Sequence, residues 1–400
     1  MNRTKIAGPA LVCLLLGAGF VSAGQMIVTY DPSYPVAERI SGIESLGGRV
    51  TKDLHLITAL VAVFPDNIKA SVIQSLRGVR IVEEDLYLKW IESVPPALPL
   101  SHVTDSLNSG KTEDSGDTEL LPAPTATPAE TEIPWGVKRV NAAGAWNFTM
   151  GDGVKVAIID TGMDYNHADL AANYADGYNS IDPAKPPLDD QGHGTHVSGT
   201  IGAVRDAKGV VGVAPKARLY AVKVLDRNGS GTFSNIVDGI QWAVDNGMQV
   251  INMSLGGSNG TPALAGAVAA ADRAGITVIC AAGNDSGPVN YPAKYPEAVA
   301  ISASSSADKI ASFSSRGTEI ALIAPGVSVY SSALGGGYTT MSGTSMAAPH
   351  VTGLAALSVA GGADTPAKVK AALKKAAVSL GLKPEEEGAG MVDAARLAGK

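Results

Sequence analysis

Five short apolar runs dominate the C-terminal two-thirds of the chain, at residues 154–159, 219–225, 250–255, 276–281 and 299–303. Each is long enough for one strand and shows little polar alternation, the pattern of strands covered on both faces. Segments with helical spacing lie between and after them, at 232–246, 262–274, 345–360 and 367–380. This alternation predicts an α/β fold, a doubly wound and mostly parallel sheet with right-handed crossovers. Sites in such sheets form beyond the carboxyl ends of the strands. The 46 glycines among 400 residues suit tight turns and close helix–sheet contacts.

Three parts precede this domain of residues 131–400. Arg3 and Lys5 lead into an apolar stretch at 6–20, and Val21, Ser22 and Ala23 offer a small-residue cleavage site. Residues 1–24 therefore read as a signal peptide, which predicts a secreted protein. No other run reaches the ~18–20 apolar residues of a membrane span. Residues 25–94 alternate as β-α-β-β-α-β, the order of a small ferredoxin-like sandwich, with a single last strand at 79–90. A core of that size is marginal and calls for a folding partner. Residues 95–130 hold six prolines, nine serines or threonines, six acids and one lysine. Such a segment buries too little apolar surface to order itself and reads as an extended acidic linker. The net charge of 31 − 38 = −7 argues against nucleic acid as a partner. Of the two cysteines, Cys13 lies in the leader, so loss of the leader leaves Cys280 with no internal disulfide. Cys280 reads as a buried, inert thiol.

Candidate chemistry sits at the element ends. Asp160 closes the run at 154–159 and precedes Thr161 and Gly162, where it reads either as a turn former or as a rigidly held carboxylate. His193 and His196 lie three apart in a Gly-rich helix start. They lack the glutamate and the four-residue spacing of a zinc-protease helix, so His193 reads as reactive and His196 as structural. Ser345 opens a long helix of small residues, as an N-cap or as a nucleophile beside outward-facing N–H groups. The three occur in the order Asp, His, Ser, the order of subtilisin among serine hydrolases.

The motifs extend this likeness. They are Asp-Thr-Gly-Met-Asp at 160–164, Gly-His-Gly-Thr-His-Val-Ser-Gly-Thr at 192–200, Gly-Val-Ala-Pro at 212–215, Asn-Met-Ser-Leu-Gly-Gly at 252–257, Ala-Ala-Gly-Asn at 281–284 and Gly-Thr-Ser-Met-Ala-Ala-Pro-His at 343–350. In these stretches the chain resembles the subtilisin family of serine proteases. Residues 25–94 resemble that family's inhibitor-type propeptide, from Met26, Ile27 and Val28 through Gly47 and Gly48 to Glu83, Glu84 and Asp85.

The resemblance implies a self-processing endopeptidase that acts on polypeptides, with its own propeptide as intramolecular inhibitor and folding aid, and a monomer. Asp160, His193 and Ser345 would form the triad, and Asn284 the oxyanion hole. Gly229, Ser230 and Gly231 on one side and Ser254, Leu255 and Gly256 on the other would pair with a substrate backbone as an added strand. Phe233 would wall the pocket four residues before the cut. Leu255, Ala281, Ala282 and Gly283 would line the pocket immediately before it, favouring apolar or aromatic side chains. The loop 285–290 is about five residues shorter than in the best-known members, and Asn290 stands where they carry a floor glycine. The resemblance also implies a cis bond before Pro292.

A structural calcium follows from the same likeness. Asp169 and Asp206 would supply side-chain oxygens, and Val204, Lys208 and Val210 main-chain carbonyls, an all-oxygen set that suits a hard cation. Thr131 aligns with a further family ligand, for which Glu130 or Glu132 could substitute. Asp182, Asp189 and Asp190 read as a solvated loop or a second ion site. Processing is expected within 95–130. Two rival readings are an inactive scaffold and an esterase; the esterase would want a Gly-x-Ser-x-Gly elbow, absent around Ser345.

Overall fold

The computed structural model describes residues 24–91 and 132–397. Residues 1–23 of the leader and the whole linker, with Glu130 and Thr131, lie outside the described residues.

The first region comprises β1 (Gln25–Tyr30), α1 (Val36–Ser45), β2 (Arg49–Leu54), β3 (Ala59–Val63), α2 (Ala70–Gln74), β4 (Val79–Glu84) and β5 (Tyr87–Lys89). Four strands form an antiparallel sheet in the order β2-β3-β1-β4. Ile43 and Ile73 from the two helices pack on Val28, Leu60 and Phe64 of one sheet face. Ile27, Leu54 and Val61 alternate to the other face and join the core of the large domain. Strand alternation alone thus divides these residues between a private core and a docking face.

The expected single strand at 79–90 is two. The strand is interrupted at Asp85, whose carboxylate accepts from the Gln25 amide at 2.6 Å and the Ser234 N–H at 2.8 Å. Beyond it, β5 leaves the sheet and pairs with the large domain.

That domain holds α3 (Trp135–Arg139), α4 (Ala142–Ala145), β6 (Lys155–Asp160), β7 (Tyr174–Asn179), α5 (His193–Gly202), β8 (Arg218–Lys223), β9 (Ser230–Thr232), α6 (Phe233–Asp245), β10 (Val250–Met253), α7 (Pro262–Arg273) and β11 (Thr277–Ala281). It continues through β12 (Val299–Ser304), β13 (Ile320–Pro325), β14 (Val329–Ser332), β15 (Tyr338–Met341), α8 (Thr344–Ala360) and α9 (Pro366–Ala376). Seven parallel strands run in the order β13-β12-β11-β10-β6-β8-β7. Successive side chains of β6 enter different layers, Val156 and Ile158 one core and Ala157 and Ile159 the other. The first core packs under α5 and α8, the second under α6 and α7, which is the doubly wound arrangement. The carboxyl ends of β6, β10 and β11 meet on one edge.

Helix α8 is buried nearly all round, as its small residues permit. Helix α9 ends at Ala376 rather than at 380, because Ala377 and Val378 pair with Met391 and Val392.

Candidate active site

Asp160 ends β6 fully buried, and Thr161 donates its N–H to the carboxylate at 2.7 Å. His193 is the first residue of α5. Its Nδ1 lies 2.9 and 3.0 Å from the two Asp160 oxygens, so Nδ1 carries the proton and Nε2 is the free base. Nε2 is buried and makes no hydrogen bond. Glycine at 194 is obligatory for this approach, since a Cβ there would stand 2.1 Å from the Gly162 carbonyl.

Ser345, 7% exposed, sits in the first turn of α8. Its hydroxyl donates to the Ser254 carbonyl at 3.1 Å, and its own carbonyl accepts from the Ser254 hydroxyl at 2.8 Å. The resting serine is therefore turned to the β10 end and has not formed the bond to His193, which commonly tightens only with substrate bound. Asn252 and Thr352 continue this buried chain, through Asn252 Nδ2 to Ser254 and Thr352 Oγ1 to Asn252.

Asn284 follows β11. Its Oδ1 accepts from the N–H and hydroxyl of Thr344 at 2.8 and 2.9 Å. Those two donors decide which way the amide points, so Nδ2 faces outward on the Ser345 side. Thr344, which sequence reasoning passed over, also accepts the Gly283 N–H at 3.1 Å. Its signal was adjacency to Ser345 within one motif.

The cleft beside these groups is occupied. Strand β5 pairs antiparallel with β9, Lys89 opposite Ser230 and Leu88 opposite Gly231. Trp90 donates its N–H to the Gly229 carbonyl at 2.9 Å and accepts from Gly256 N–H at 3.0 Å. Its indole is 2% exposed, meets Phe233 edge to face at 5.0 Å, and donates to the Gly231 carbonyl at 2.9 Å. Leu255, Ala281, Gly283 and Asn290 line a small pocket that ends at Ser345 and Asn284. Ala282 does not line it; its side chain alternates into the core, and only its carbonyl serves the site by accepting Asn290 N–H at 2.8 Å. Asn290 fills the floor, so close to Gly283 that a Cβ there would be 2.5 Å from Nδ2. The Tyr291–Pro292 bond is cis.

A family model described as the subtilase family matches residues 151–394. The chain is a subtilase. It is 48% identical over 233 residues to subtilisin amylosacchariticus of Bacillus subtilis subsp. amylosacchariticus, a match covering 56% of this chain and 60% of that protein. Subtilisin of Bacillus pumilus is also 48% identical over 233 residues, covering 56% of this chain and 84% of the relative. The thermostable alkaline protease of Halalkalibacterium halodurans is 40% identical over 300 residues, covering 74% and 80%.

Around this subtilase site the acids expected as a loop or ion site have other work. Asp189 is buried and accepts from the N–H groups of Gln191, Gly192 and Thr195 and from two threonine hydroxyls, tying down the start of α5. Asp190 pairs with the buried Lys223 at 2.6 Å, and Lys223 also holds the Thr161 carbonyl at 2.7 Å. Asp182 pairs with Lys185 at 2.9 Å. His196 is a core residue; burial holds its ring far below the usual value, at about 3.

The loop carrying Val204, Asp206, Lys208 and Val210 closes over Asp169. That carboxylate is 1% exposed and accepts Val210 N–H at 2.8 Å. Burial, with Asp206 adding to it, raises its pKa above the usual carboxylate range. Among the described residues no backbone N–H reaches the carbonyls of Val204 or Val210. Arg205 is turned away over the Trp146 ring at 5.1 Å. Glu132 borders the loop, its N–H on the Gly209 carbonyl at 2.7 Å. Among the described residues no three His, Cys, Asp or Glu side chains cluster for a metal, so a cation here would draw on main-chain oxygen. A buried carboxylate beside open carbonyls fits a hard cation.

Proposed function

We propose that this subtilase is a secreted serine endopeptidase made as a self-processing zymogen. The observation that supports the reading is the extended peptide seated in the cleft beside Ser345 and Asn284, in a domain whose helix α5, packed on α8, opens with His193 bonded to the buried Asp160. His193 Nε2 takes the Ser345 proton as the hydroxyl attacks the scissile carbonyl, and returns it to the leaving amine. Asp160 holds the imidazole in the Nδ1–H tautomer and stabilises the imidazolium. Asn284 Nδ2 and the Ser345 N–H receive the developing oxyanion. Water then hydrolyses the acyl-enzyme by the same route.

Substrates enter as a strand between Gly229–Gly231 and Ser254–Gly256, as residues 87–90 do here. The apolar pocket walls support a preference for apolar or aromatic residues before the cut. Residues 25–94 act as the intramolecular inhibitor, and processing falls in the linker. Asp169, Asp206 and the carbonyls of Val204, Lys208 and Val210 hold a structural calcium, which ties the loop to the body. Secretion and a monomeric state complete the reading.

The test is intact mass after incubation with calcium, for the wild type and for Ser345→Ala. Loss of the first 95 to 130 residues in the wild type alone supports the zymogen. An unprocessed wild type moves the inactive scaffold to the front.

A further inference from the structure

The first region sends one ammonium into a set of oxygens on the large domain. Lys52 Nζ, on β2, lies 2.6 Å from both the carbonyl and the hydroxyl of Ser180, 2.9 Å from Asn235 Oδ1 and 3.0 Å from Asp238 Oδ2. The Lys52 and Asp238 side chains are only 20% and 12% exposed.

The large domain builds this cradle without help from Lys52. Asn235 and Asp238 stand one turn apart on α6, so both side chains share a face. Ser180 follows β7 and is fixed by its N–H on the Lys223 carbonyl at 2.9 Å. The Ser180 hydroxyl donates to Asp238 Oδ2 at 2.7 Å, and the Tyr178 hydroxyl to the same oxygen at 2.9 Å. Tyr178 is braced by stacking on Trp242, 6.1 Å between centroids and 3° between planes. Both hydroxyl protons are thus spent on the carboxylate, and every oxygen that faces Lys52 faces it as an acceptor.

We propose that Ser180, Asn235 and Asp238 form a monovalent-cation site, held by the Lys52 ammonium while residues 24–91 are docked and open to a potassium- or ammonium-sized ion when they are not. Three features select this class. The cradle carries one negative charge. Its distances of 2.6–3.0 Å to the ammonium lie at or beyond the upper end of the 2.3–2.6 Å of calcium–oxygen bonds. A largely buried carboxylate that loses its counter-charge favours a replacement cation. Release of the first region then becomes an exchange of a tethered cation for a free one; that consequence rests on the zymogen reading, whereas the site itself does not.

The test uses the full chain with Ser345→Ala in every arm, so no result depends on catalysis. Lys52→Ala empties the cradle of its ammonium while the first region stays attached. Its melting temperature is compared in potassium chloride and in tetramethylammonium chloride at equal ionic strength, which separates binding from screening. For Lys52→Ala we expect a potassium-specific rise of about 2–4 °C at roughly tenfold excess over Kd. The parent shows no such rise, nor does Lys52→Ala with Asp238→Asn, nor Lys52→Met, whose uncharged chain fills the cradle. Lys52→Ser carries the same expectation as Lys52→Ala and covers a poor folding yield of the alanine variant. Rubidium soaked into crystals of either small variant should give an anomalous peak among the four oxygens. Equal melting in both salts for the small variants, or a potassium effect that survives Asp238→Asn, overturns the proposal.

Discussion

Replacing Trp90 by alanine should free the cleft much sooner after processing. The indole is 2% exposed, packs edge-on against Phe233 and donates to the Gly231 carbonyl. Removing a buried tryptophan costs about 3–5 kcal/mol in a protein core. At this cleft water can enter beside the truncated tail, which places the loss near the lower bound, about 3 kcal/mol. Since 1.4 kcal/mol is tenfold, the dissociation constant of the tail should rise roughly a hundredfold. Most of the change should appear in the off-rate, because the encounter surface is untouched. Trp90→Phe keeps a ring beside Phe233 and loses the N–H bond together with the area of the second ring, about 2 kcal/mol or roughly thirtyfold. The assay dilutes the processed complex of each variant into a chromogenic peptide and follows the lag before full activity. The lag should shorten from wild type to phenylalanine to alanine. An alanine variant with the wild-type lag refutes anchoring through Trp90. A phenylalanine variant as weak as alanine moves the anchor from the ring contact with Phe233 to the N–H bond and the second ring of the indole.

Other outcomes follow from the same geometry. Asn284→Ala should lower turnover by ~10²–10³ with little change in KM, a range that comes from subtilisin itself and not from this chain; unchanged turnover would remove Asn284 from the oxyanion hole. His350 is buried with its Nδ1 proton on the Met346 carbonyl, and burial lowers its pKa to about 4, as it lowers His196 to about 3. Between pH ~6.5 and ~4 the unfolded chain takes up these protons and the folded chain does not, so stability falls with acidification through that window, by about 3 kcal/mol from His350 alone. Melting temperatures measured from pH 7 to 4 should drop accordingly, and a flat profile would contradict the buried neutral rings. Calcium should raise the melting temperature by about 5–15 °C at a hundred- to thousandfold excess over Kd, and Asp169→Asn should abolish the response. An Asp169→Asn variant that still responds to chelation places the ion elsewhere.

Five strands of the large sheet were legible because each is buried on both faces and so reads as an apolar run. Strand β7 was not, since it forms the sheet edge, pairs only with β8 and carries polar residues and Gly177. The positions of Asp160, His193 and Ser345 at element ends were legible through short motifs, because a carboxylate at a strand end and a serine at a helix start are local features.

Which groups those residues would touch was not local. Asp189 sits in a run of acids that reads as solvated, and only the return of α5 beside it turns it into the acceptor for a helix start. Residues 79–90 carry one strand signal, yet Asp85 splits them, because Ser234 lies 149 positions away and supplies an N–H only after the domains dock. The Ser345 hydroxyl rests on Ser254 for the same kind of reason, across 91 positions. Periodicity, turn chemistry and motif spacing act within a few residues, so the sequence alone determined the α/β class, five strands of the large sheet and the family motifs. Burial of a charge, the direction of a hydroxyl and the seating of Trp90 and Lys52 depend on surfaces brought together from distant parts of the chain, and only the tertiary structure decided them.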